Sequence, residues 1–232
     1  MDSHMKELEL LNPWFDKLPY QWENLNEFGS IIKFKKNEPI FHQNDYSEYI
    51  YLVKKGRVRL YLISPGGEEK ALAIVGENGI LGECSLSQDS TYSTSAICAS
   101  DVELRRITRQ DFVKFIAREP DFIFQTLDMI TKKYRLLATQ SLQLSYMKSL
   151  PRICALLVQL SQKYSVILDD KKIQLTIQFT QQEMANLLGT TRVTVAKNIK
   201  WLEDQQYIHK QGKFYVINDI QELNELANDQ LY

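Results

Sequence analysis

From about Ile31 to Ile107 the chain has a β character. Within this region, short runs rich in β-branched and aromatic residues are each closed by Gly, Pro, Asn or Asp, which is typical of strands joined by tight turns. Lys55-Gly56 and Pro65-Gly66-Gly67 supply two of these turns. Evenly spaced short strands of this kind predict a β-roll, that is, a barrel or double-sheet jelly roll. The runs are Ile31–Phe34, Pro39–Phe41, Tyr49–Val53, Arg57–Ile63 and Lys70–Val75.

Helical patterns follow the β region. A capping-box spacing that begins at Thr108, with Asp in place of the usual Glu, predicts a short helix to about Glu119. Pro120 suits the first turn of a longer helix that reaches about Leu150, where Pro151 interrupts the pattern. Helices that follow a block of strands predict the α+β class.

The long predicted helix carries an apolar stripe. Its members recur at alternating spacings of three and four, as in the seam of a coiled coil, and the stripe is broken once by a serine. Such a seam needs another surface to cover it. That surface is either the chain's own β domain or the same helix of a second subunit, and we expect the second. The seam consists of Leu127, Ile130, Tyr134, Leu137, Ser141 and Leu144.

A second domain begins after the interrupting proline. Lys172–Phe179 alternates between polar and apolar residues with a period of two, which predicts a half-buried strand. The pattern of Thr180–Leu202 is helix, tight turn, helix: Thr180 caps the first helix, and Gly189 permits the turn. A hairpin pattern at Tyr207–Val216 follows, like the wing of a winged helix.

The exposed start of the second helix in this motif is the candidate DNA-contacting surface. When such a helix enters a major groove, its N-terminal end meets the base edges, and lysines of the wing meet phosphates. The segment from Thr180 to Lys213 holds five basic and three acidic side chains, which makes it weakly positive. The predicted DNA-contacting residues are Arg192, Val193, Thr194, Lys197, Lys213 and Thr180.

Composition argues against several other classes of protein. The chain has 28 basic and 29 acidic side chains and lacks an apolar run of spanning length, so we expect a cytoplasmic protein without a membrane segment. Its three cysteines lack the spacing of a metal site, and we expect no metal. A β-barrel metal enzyme of the cupin type needs several histidines, whereas the β region holds only His42, so we expect no enzyme activity. Met1–Met5 looks like a cloning remnant.

These elements, in this order, resemble the CRP/FNR family of bacterial regulators. The strongest matching stretch is Thr180–Asp204 with Gly212-Lys213, and Gly56, Pro65-Gly66-Gly67 and Gly82-Glu83 match the sensor half of the family. The resemblance implies a homodimeric, effector-controlled transcription factor that reads a palindromic operator on double-stranded DNA, with RNA polymerase as a further partner. From the cysteines and histidines of this chain we expect no resident cofactor. It divides the chain into an effector-sensing β-roll at 1–119, a dimerisation helix at 120–150 and a winged helix-turn-helix domain at 151–232.

The effector site departs from the cyclic-nucleotide pattern of the family. In cyclic-AMP receptors an arginine for the cyclic phosphate follows the Gly-Glu pair by ten residues, and Ser93 stands there in this chain. The missing charge-assisted partner argues against a cyclic nucleotide, and the lack of cysteines before Cys84 argues against an iron–sulfur cluster. We expect a small organic effector such as an aromatic acid or a phenolate, with a cyclic nucleotide as the alternative. The predicted effector residues are Gly82, Glu83, Tyr92, Ser93, Thr94, Lys133, Tyr134 and Leu137.

The predicted DNA-reading helix departs from the family pattern as well. Arg192 matches an arginine that contacts guanine or phosphate, but Val193 replaces a glutamate that reads cytosine and offers only an apolar contact, for example to a thymine methyl. Asn198 replaces a buried apolar residue, so we expect it to turn outward to a phosphate or to loosen the helix pair. The stretch Val193-Thr194-Val195 is similar to the halophenol-responsive regulators of organohalide respiration within the family. If Arg192 and Lys197 were dispensable, the chain would instead be a signal-binding module without DNA recognition.

Overall fold

A computed structural model describes residues 13–16, 18–87, 91–169 and 171–228. The predicted cloning remnant lies outside these residues. The described chain divides into two compact units, residues 13–137 and 138–228. The three predicted domain limits stay a prediction, because the long helix runs from the first unit into the second.

The first unit is a β-roll of two sheets, as the strand runs predicted. Its strands are β1 (Trp14–Phe15), β2 (Ser30–Phe34), β3 (Pro39–Phe41), β4 (Tyr49–Lys55), β5 (Val58–Ile63), β6 (Glu69–Val75), β7 (Ile80–Leu81), β8 (Ser95–Cys98) and β9 (Val102–Thr108). One sheet has the order β1-β6-β5-β8-β3 and the other β2-β9-β4-β7. Apolar side chains of both sheets, such as Leu60 and Leu104, form one buried core between them.

Helix α1 (Arg109–Arg118) begins where the capping-box spacing predicted. The Thr108 hydroxyl accepts a hydrogen bond from the Asp111 backbone N–H at 3.1 Å. The Thr108 hydroxyl donates to the Asp111 carboxylate at 2.9 Å. In a complete capping box the carboxylate would instead accept from the Thr108 backbone N–H, but Asp is one methylene shorter than Glu. Phe112 and Phe115 are buried and anchor α1 on the β-roll.

Helix α2 (Pro120–Tyr146) packs on the β-roll through one stripe of its surface, which we call the inner stripe. Thr126, Met129 and Leu136 are the buried members of this stripe. The Ile80 backbone N–H donates to the Met129 sulfur at 3.2 Å, which ties the helix to β7. Spacings of three and seven residues place these three side chains on one face of the helix, so a single face is covered.

The predicted seam is a second stripe on α2, displaced from the inner stripe by one residue. All of its members are exposed, with Tyr134 exposed at 70%. Ile123 and Phe124 extend the exposed apolar surface toward the start of the helix. The β-roll of the chain therefore does not cover the seam.

The second unit is a winged helix-turn-helix domain, as the sequence predicted. Its elements are α3 (Ser149–Lys163), β10 (Ser165–Ile167), β11 (Ile173–Leu175), α4 (Gln181–Leu188), α5 (Arg192–Asp204), β12 (Ile208–Gln211), β13 (Phe214–Ile217) and α6 (Ile220–Asn228). The strands form an antiparallel sheet in the order β10-β11-β13-β12, and α3 packs against α4, α5 and α6. Among the described residues, none of the helices combines the length and apolar character needed to cross a bilayer.

The break between α2 and α3 lies earlier than predicted. Helix α2 ends at Tyr146 instead of about Leu150, and Pro151 lies in the first turn of α3, which begins at Ser149. A proline ring clashes with the carbonyl group four residues before it, which is that of Met147. The helix must therefore be interrupted before the proline and not at it.

The predicted strand Lys172–Phe179 is shorter than its alternation indicated, since only Ile173–Leu175 pairs in the sheet. The chain leaves the sheet at Thr176, whose backbone N–H donates to the Tyr164 carbonyl at 2.8 Å. The following residues stay alternately half-buried and exposed. The alternation with a period of two therefore comes from the paired strand and from the extended chain that follows it.

Two turn glycines of the β-roll allow a matched test of the fold. Gly56 and Gly67 have nearly equal φ angles of +86° and +87°, but a Cβ on Gly56 would overlap the Asp101 carbonyl oxygen, whereas a Cβ on Gly67 meets nothing within 4 Å. We expect Gly67→Ala to lower the free energy of unfolding by about 1 kcal/mol, from backbone strain alone. Gly56→Ala should cost about 2–4 kcal/mol because the overlap adds to the strain. Urea unfolding measures both losses of stability. Equal losses would contradict the close approach of Gly56 to the Asp101 carbonyl oxygen.

Candidate effector cavity and nucleic-acid interface

The first unit contains a cavity of about 500 Å³ between the β-roll and α2. Six of the eight predicted effector residues line it: Gly82, Glu83, Ser93, Thr94, Lys133 and Leu137. Tyr92 and Tyr134 are not among its lining residues. The remaining lining residues were not predicted to contact an effector; they are Leu60, Leu72, Ala73, Cys84, Leu86, Ser87, Ile130 and Leu136.

Gly82 is the residue that allows the chain to enter the cavity wall. Its φ angle is +75°, and a Cβ there would lie 2.8 Å from the Tyr49 carbonyl oxygen and 3.0 Å from the Tyr92 ring. Only glycine satisfies both conditions without strain. The turn brings Glu83 to the start of a short 3-10 helix, Glu83–Leu86, with its carboxylate beside α2.

Lys133 and Glu83 form an ion pair in the cavity wall. The Lys133 ammonium lies 2.6 Å from the Glu83 carboxylate and also donates to the Ile80 carbonyl at 2.9 Å. Both side chains are largely shielded, with 11% and 17% of their surface exposed. The pair makes the wall electrically neutral, and it leaves one of the three ammonium hydrogens uncommitted to these two partners.

Tyr92 is a core residue and not an effector ligand, so its assignment was wrong. Its ring is 3% exposed and stacks on Phe41 with 3.9 Å between the ring centroids. Its hydroxyl donates to the Tyr49 carbonyl at 2.8 Å and accepts from the Tyr49 N–H at 3.3 Å. Burial raises the pKa of the Tyr92 phenol above its usual value. Its ring and hydroxyl are therefore committed to holding β4.

Tyr134 also lies away from the cavity. It is 70% exposed, and the turn of about 100° per residue in a helix rotates it away from Lys133. Among the described residues that line the cavity, Lys133 is the single cation and none is an arginine. Ser93 lines the cavity, and the described wall has no arginine for a phosphate, as the sequence indicated.

The helix-turn-helix is held in shape by two caps and a glycine. Thr180 and Glu183 form a complete capping box at the start of α4, and Gly189 ends that helix with a φ of +60°. Thr191 caps α5 and accepts from the Thr194 N–H at 3.1 Å. Val195, Ile199 and Leu202 bury the inner face of α5.

The opposite face of α5 presents the predicted DNA-contacting residues. Arg192, Val193 and Lys197 are exposed, Val193 at 78%, and Thr194 is half-exposed beside the Thr191 cap. An exposed valine at the start of such a helix offers an apolar contact to a base edge and no hydrogen bond.

The wing adds a second basic position. Gly212 turns the chain between β12 and β13 with a φ of +63°, and the exposed Lys213 follows it. The Lys210 ammonium lies 5.4 Å from the centre of the Tyr215 ring, in a cation–π contact that fixes it on the wing. Thr180 is exposed, although its hydroxyl is engaged in the capping box.

Asn198 is half-buried and bonds to the start of α3. Its side-chain N–H donates to the Ser149 hydroxyl at the start of α3, at 2.9 Å. Neither of the two expectations for Asn198, an outward turn to a phosphate or a looser helix pair, included this hydrogen bond. Local sequence signals do not reveal the partner, because 49 residues separate the two positions.

A cavity in a β-roll joined by a long helix to a winged helix-turn-helix defines the class of ligand-controlled DNA-binding proteins. Residues 31–119 match the cyclic nucleotide-binding domain family, and residues 151–226 match the Crp-like helix-turn-helix domain family. Together these matches cover most of the chain. The protein belongs to the CRP/FNR family and is a DNA-binding transcriptional regulator with an effector-binding domain.

Three known proteins show how far the similarity extends. The cyclic AMP receptor protein of Thermus thermophilus is 28% identical over 195 residues, which are 84% of this chain and 86% of the relative. The c-di-GMP responsive global regulator CLP of Xanthomonas campestris has a TM-score of 0.76 and 20% identity, covering 84% of this chain and 96% of that chain. The structure of CprK complexed with OCPA has a TM-score of 0.72 and 18% identity, covering 91% and 97%.

The two structural likenesses show the fold alone. The nearness to the halophenol-responsive subgroup therefore stays a prediction. The relative from Thermus thermophilus is named as a receptor protein.

The three thiols should differ sharply in reactivity. Cys84 is half-buried in the cavity wall, whereas burial raises the pKa of Cys98 to about 11 and that of Cys154 to about 12. At about pH 8, the ionised fraction of each of these two buried thiols is about one in a thousand or less. We expect iodoacetamide to label Cys84 first in the folded protein, as measured by peptide mass spectrometry. Comparable labelling of Cys98 or Cys154 would contradict this expectation.

Proposed function

We propose that this regulator is a homodimer that binds a small organic effector, and not cyclic AMP, in the cavity beside α2 and thereby controls DNA reading by α5 in the cytoplasm. The observation that carries the proposal is the composition of the cavity wall. Among the described lining residues the one cation is Lys133, already paired with Glu83, and most of the others are apolar. Such a wall suits an aromatic body with one oxygen head group.

The ion pair favours a phenolic or carboxylic oxygen as that head group. A phenol oxygen can accept the remaining Lys133 N–H and, when protonated, donate to Glu83, so that both members of the pair stay satisfied. Thr94 and Ser93 add hydroxyls on the opposite element, and Leu60 and Leu72 supply apolar contact. An aromatic acid or a phenolate is therefore the effector class that we assign.

A cyclic nucleotide is the second candidate, because a relative 28% identical to this chain is a cyclic AMP receptor protein. A phosphate diester needs several charge-assisted hydrogen bonds, each worth roughly 1.5–3 kcal/mol. Leu137, which lines the cavity, and the neighbouring Ala138 offer no hydrogen bond to a base edge. These features support an organic effector over a nucleotide.

The exposed seam of α2 supports the homodimer. From Ile123 to Leu144 it covers about six helical turns, enough for a coiled-coil contact with a second copy. Ile130 and Leu137 belong both to the seam and to the cavity wall, so a partner helix packed on the seam would join that wall. Effector binding would then shift the equilibrium between two arrangements of the dimer, provided that it favours the DNA-competent one.

The two-fold symmetry of such a dimer predicts a palindromic operator. Its half-sites would lie about 34 Å apart, one helical turn of DNA. The apolar Val193 implies a half-site that differs from one read by a glutamate at this position. Control of transcription adds RNA polymerase as a further partner of the proposed complex.

Arg192 and Lys213 should fail in different ways when they are replaced by alanine. Arg192→Ala should weaken binding to an operator selected by the protein from random DNA by about 1–3 kcal/mol, while a scrambled duplex is little affected. Lys213→Ala should weaken binding to both duplexes alike and lower the salt dependence, because it meets a phosphate. Fluorescence anisotropy at several salt concentrations measures both effects. Equal losses for Arg192→Ala on the two duplexes would reduce its role to a phosphate contact.

Native mass spectrometry with a panel of phenols, aromatic acids and cyclic AMP tests both the effector and the dimer. We expect a dimer that retains a phenol or aromatic acid. Titration calorimetry should show that Lys133→Met weakens that ligand by roughly 1.5–3 kcal/mol, the worth of one charge-assisted hydrogen bond. Lys132→Met is the matched control, since Lys132 pairs with Asp128 and Tyr20 away from the cavity. Stoichiometric uptake of cyclic AMP would show that the effector is a cyclic nucleotide. A monomer would contradict the proposed dimer contact through the seam.

A further inference from the structure

The first turn of α3 makes two hydrogen bonds to the helix-turn-helix. The Ser149 hydroxyl accepts from the Asn198 side chain at 2.9 Å, and the Arg152 guanidinium donates to the Leu188 carbonyl at 2.6 Å. Ser149 and Arg152 are three residues apart and so lie on one face of α3. One bond reaches α5 and the other reaches the end of α4. We call these two hydrogen bonds and their four residues the polar clamp.

Asn198 is a polar residue at the edge of an apolar contact. Val195, Ile199 and Leu202 bury the same side of α5, and an apolar side chain at position 198 would continue that surface. Apolar contacts between helices hold over a range of small rotations and slides, because they have no direction. A hydrogen bond requires its donor and acceptor to be aligned and within a narrow distance. The amide therefore fixes the rotation of α5 relative to α3.

Arg152 fixes the other helix of the motif. The Leu188 carbonyl lies at the C-terminal end of α4, where the helix dipole is negative, and it receives a cation there. Burial lowers the pKa of the guanidinium, and its buried Nε has no hydrogen-bond partner among the described residues. The bond to Leu188 offsets part of this desolvation. It holds the end of α4 directly before Gly189, where the turn to α5 begins.

We propose that Asn198 and Arg152 are positioning residues, and that the polar clamp sets the angle at which α5 is presented to DNA. Ser149 is the first residue of α3 and follows the break at Met147 and Lys148 directly. The clamp thus couples the direction of the chain at this break to both α4 and α5. It determines the selectivity for the operator more than the overall affinity for DNA. The proposal rests on the DNA-reading role assigned to α5.

A double-mutant cycle between Ser149 and Asn198 tests the clamp. The variants are Ser149→Ala, Asn198→Leu and the double variant, measured on the operator selected by the wild-type protein and on a scrambled duplex of equal length. We expect each single variant to bind the operator about tenfold more weakly, and the double variant to be no weaker than either. Affinity for the scrambled duplex should change by less than about twofold, with the same salt dependence.

An exchange variant supplies a rescue that a merely structural role does not predict. Ser149→Asn combined with Asn198→Ser restores a hydrogen bond with the roles reversed, and operator affinity should return to within about threefold of wild type. Arg152→Lys should retain more operator affinity than Arg152→Met, because an ammonium can still donate to the Leu188 carbonyl. Ser145→Ala is the matched serine control, since the Ser145 hydroxyl donates to the Ser141 carbonyl within α2.

Three results would overturn the clamp. These are additive losses in the cycle, equal losses on the operator and the scrambled duplex, and single variants that bind the operator as wild type does. If Asn198→Leu fails to fold, Ser149→Ala still decides the question, because it removes only a hydroxyl at a half-buried position. The cycle uses operator affinity itself and no effector. Its failure is therefore distinguishable from a failure of the proposed effector class or of Arg192 as the base-reading residue.

Discussion

Helix α2 carries two apolar stripes one residue apart, and the chain buries only one of them. The inner stripe, with Met129 and Leu136, is covered by the β-roll, which fixes the rotation of the helix about its axis. Once that rotation is fixed, every other position on the helix has an assigned direction. Lys133 lies on the inner stripe at the cavity wall, while Tyr134 is turned by about 100° into the exposed seam. The position of the cavity and the exposure of the seam therefore follow from one packing contact.

The cavity depends on a second contact, between segments 50 residues apart. Gly82 takes a left-handed conformation beside Tyr49 and Tyr92, and this turn places the Glu83 carboxylate against Lys133. An ammonium in a wall of leucines would be costly without a partner. The ion pair with Glu83 offsets that cost, and Lys133 and Glu83 both keep further hydrogen-bonding capacity. Among the described lining residues, the wall is thereby neutral in sum and carries charge only at this pair.

Local sequence signals predicted the elements that one segment decides by itself. Thr180 with Glu183, and Gly189 after α4, fix the helix-turn-helix through neighbours a few residues away, and the structure confirms them. The position of Tyr92 could not be predicted in this way, because its burial depends on Phe41 and Tyr49, which belong to other strands. Sequence periodicity could locate the seam of α2, yet it could not tell which stripe the β-roll covers. Only the fold brings together Asn198 and Ser149.

Ile130 and Leu137 have a consequence for how the protein responds to its own abundance. Both residues line the cavity and lie on the exposed seam. In a dimer built on this seam, association completes the cavity wall, so an effector that contacts the wall also favours association by mass action. The concentration of ligand that half-saturates the protein then falls as its copy number rises. Such a regulator integrates two quantities, the level of its effector and the level of its own expression.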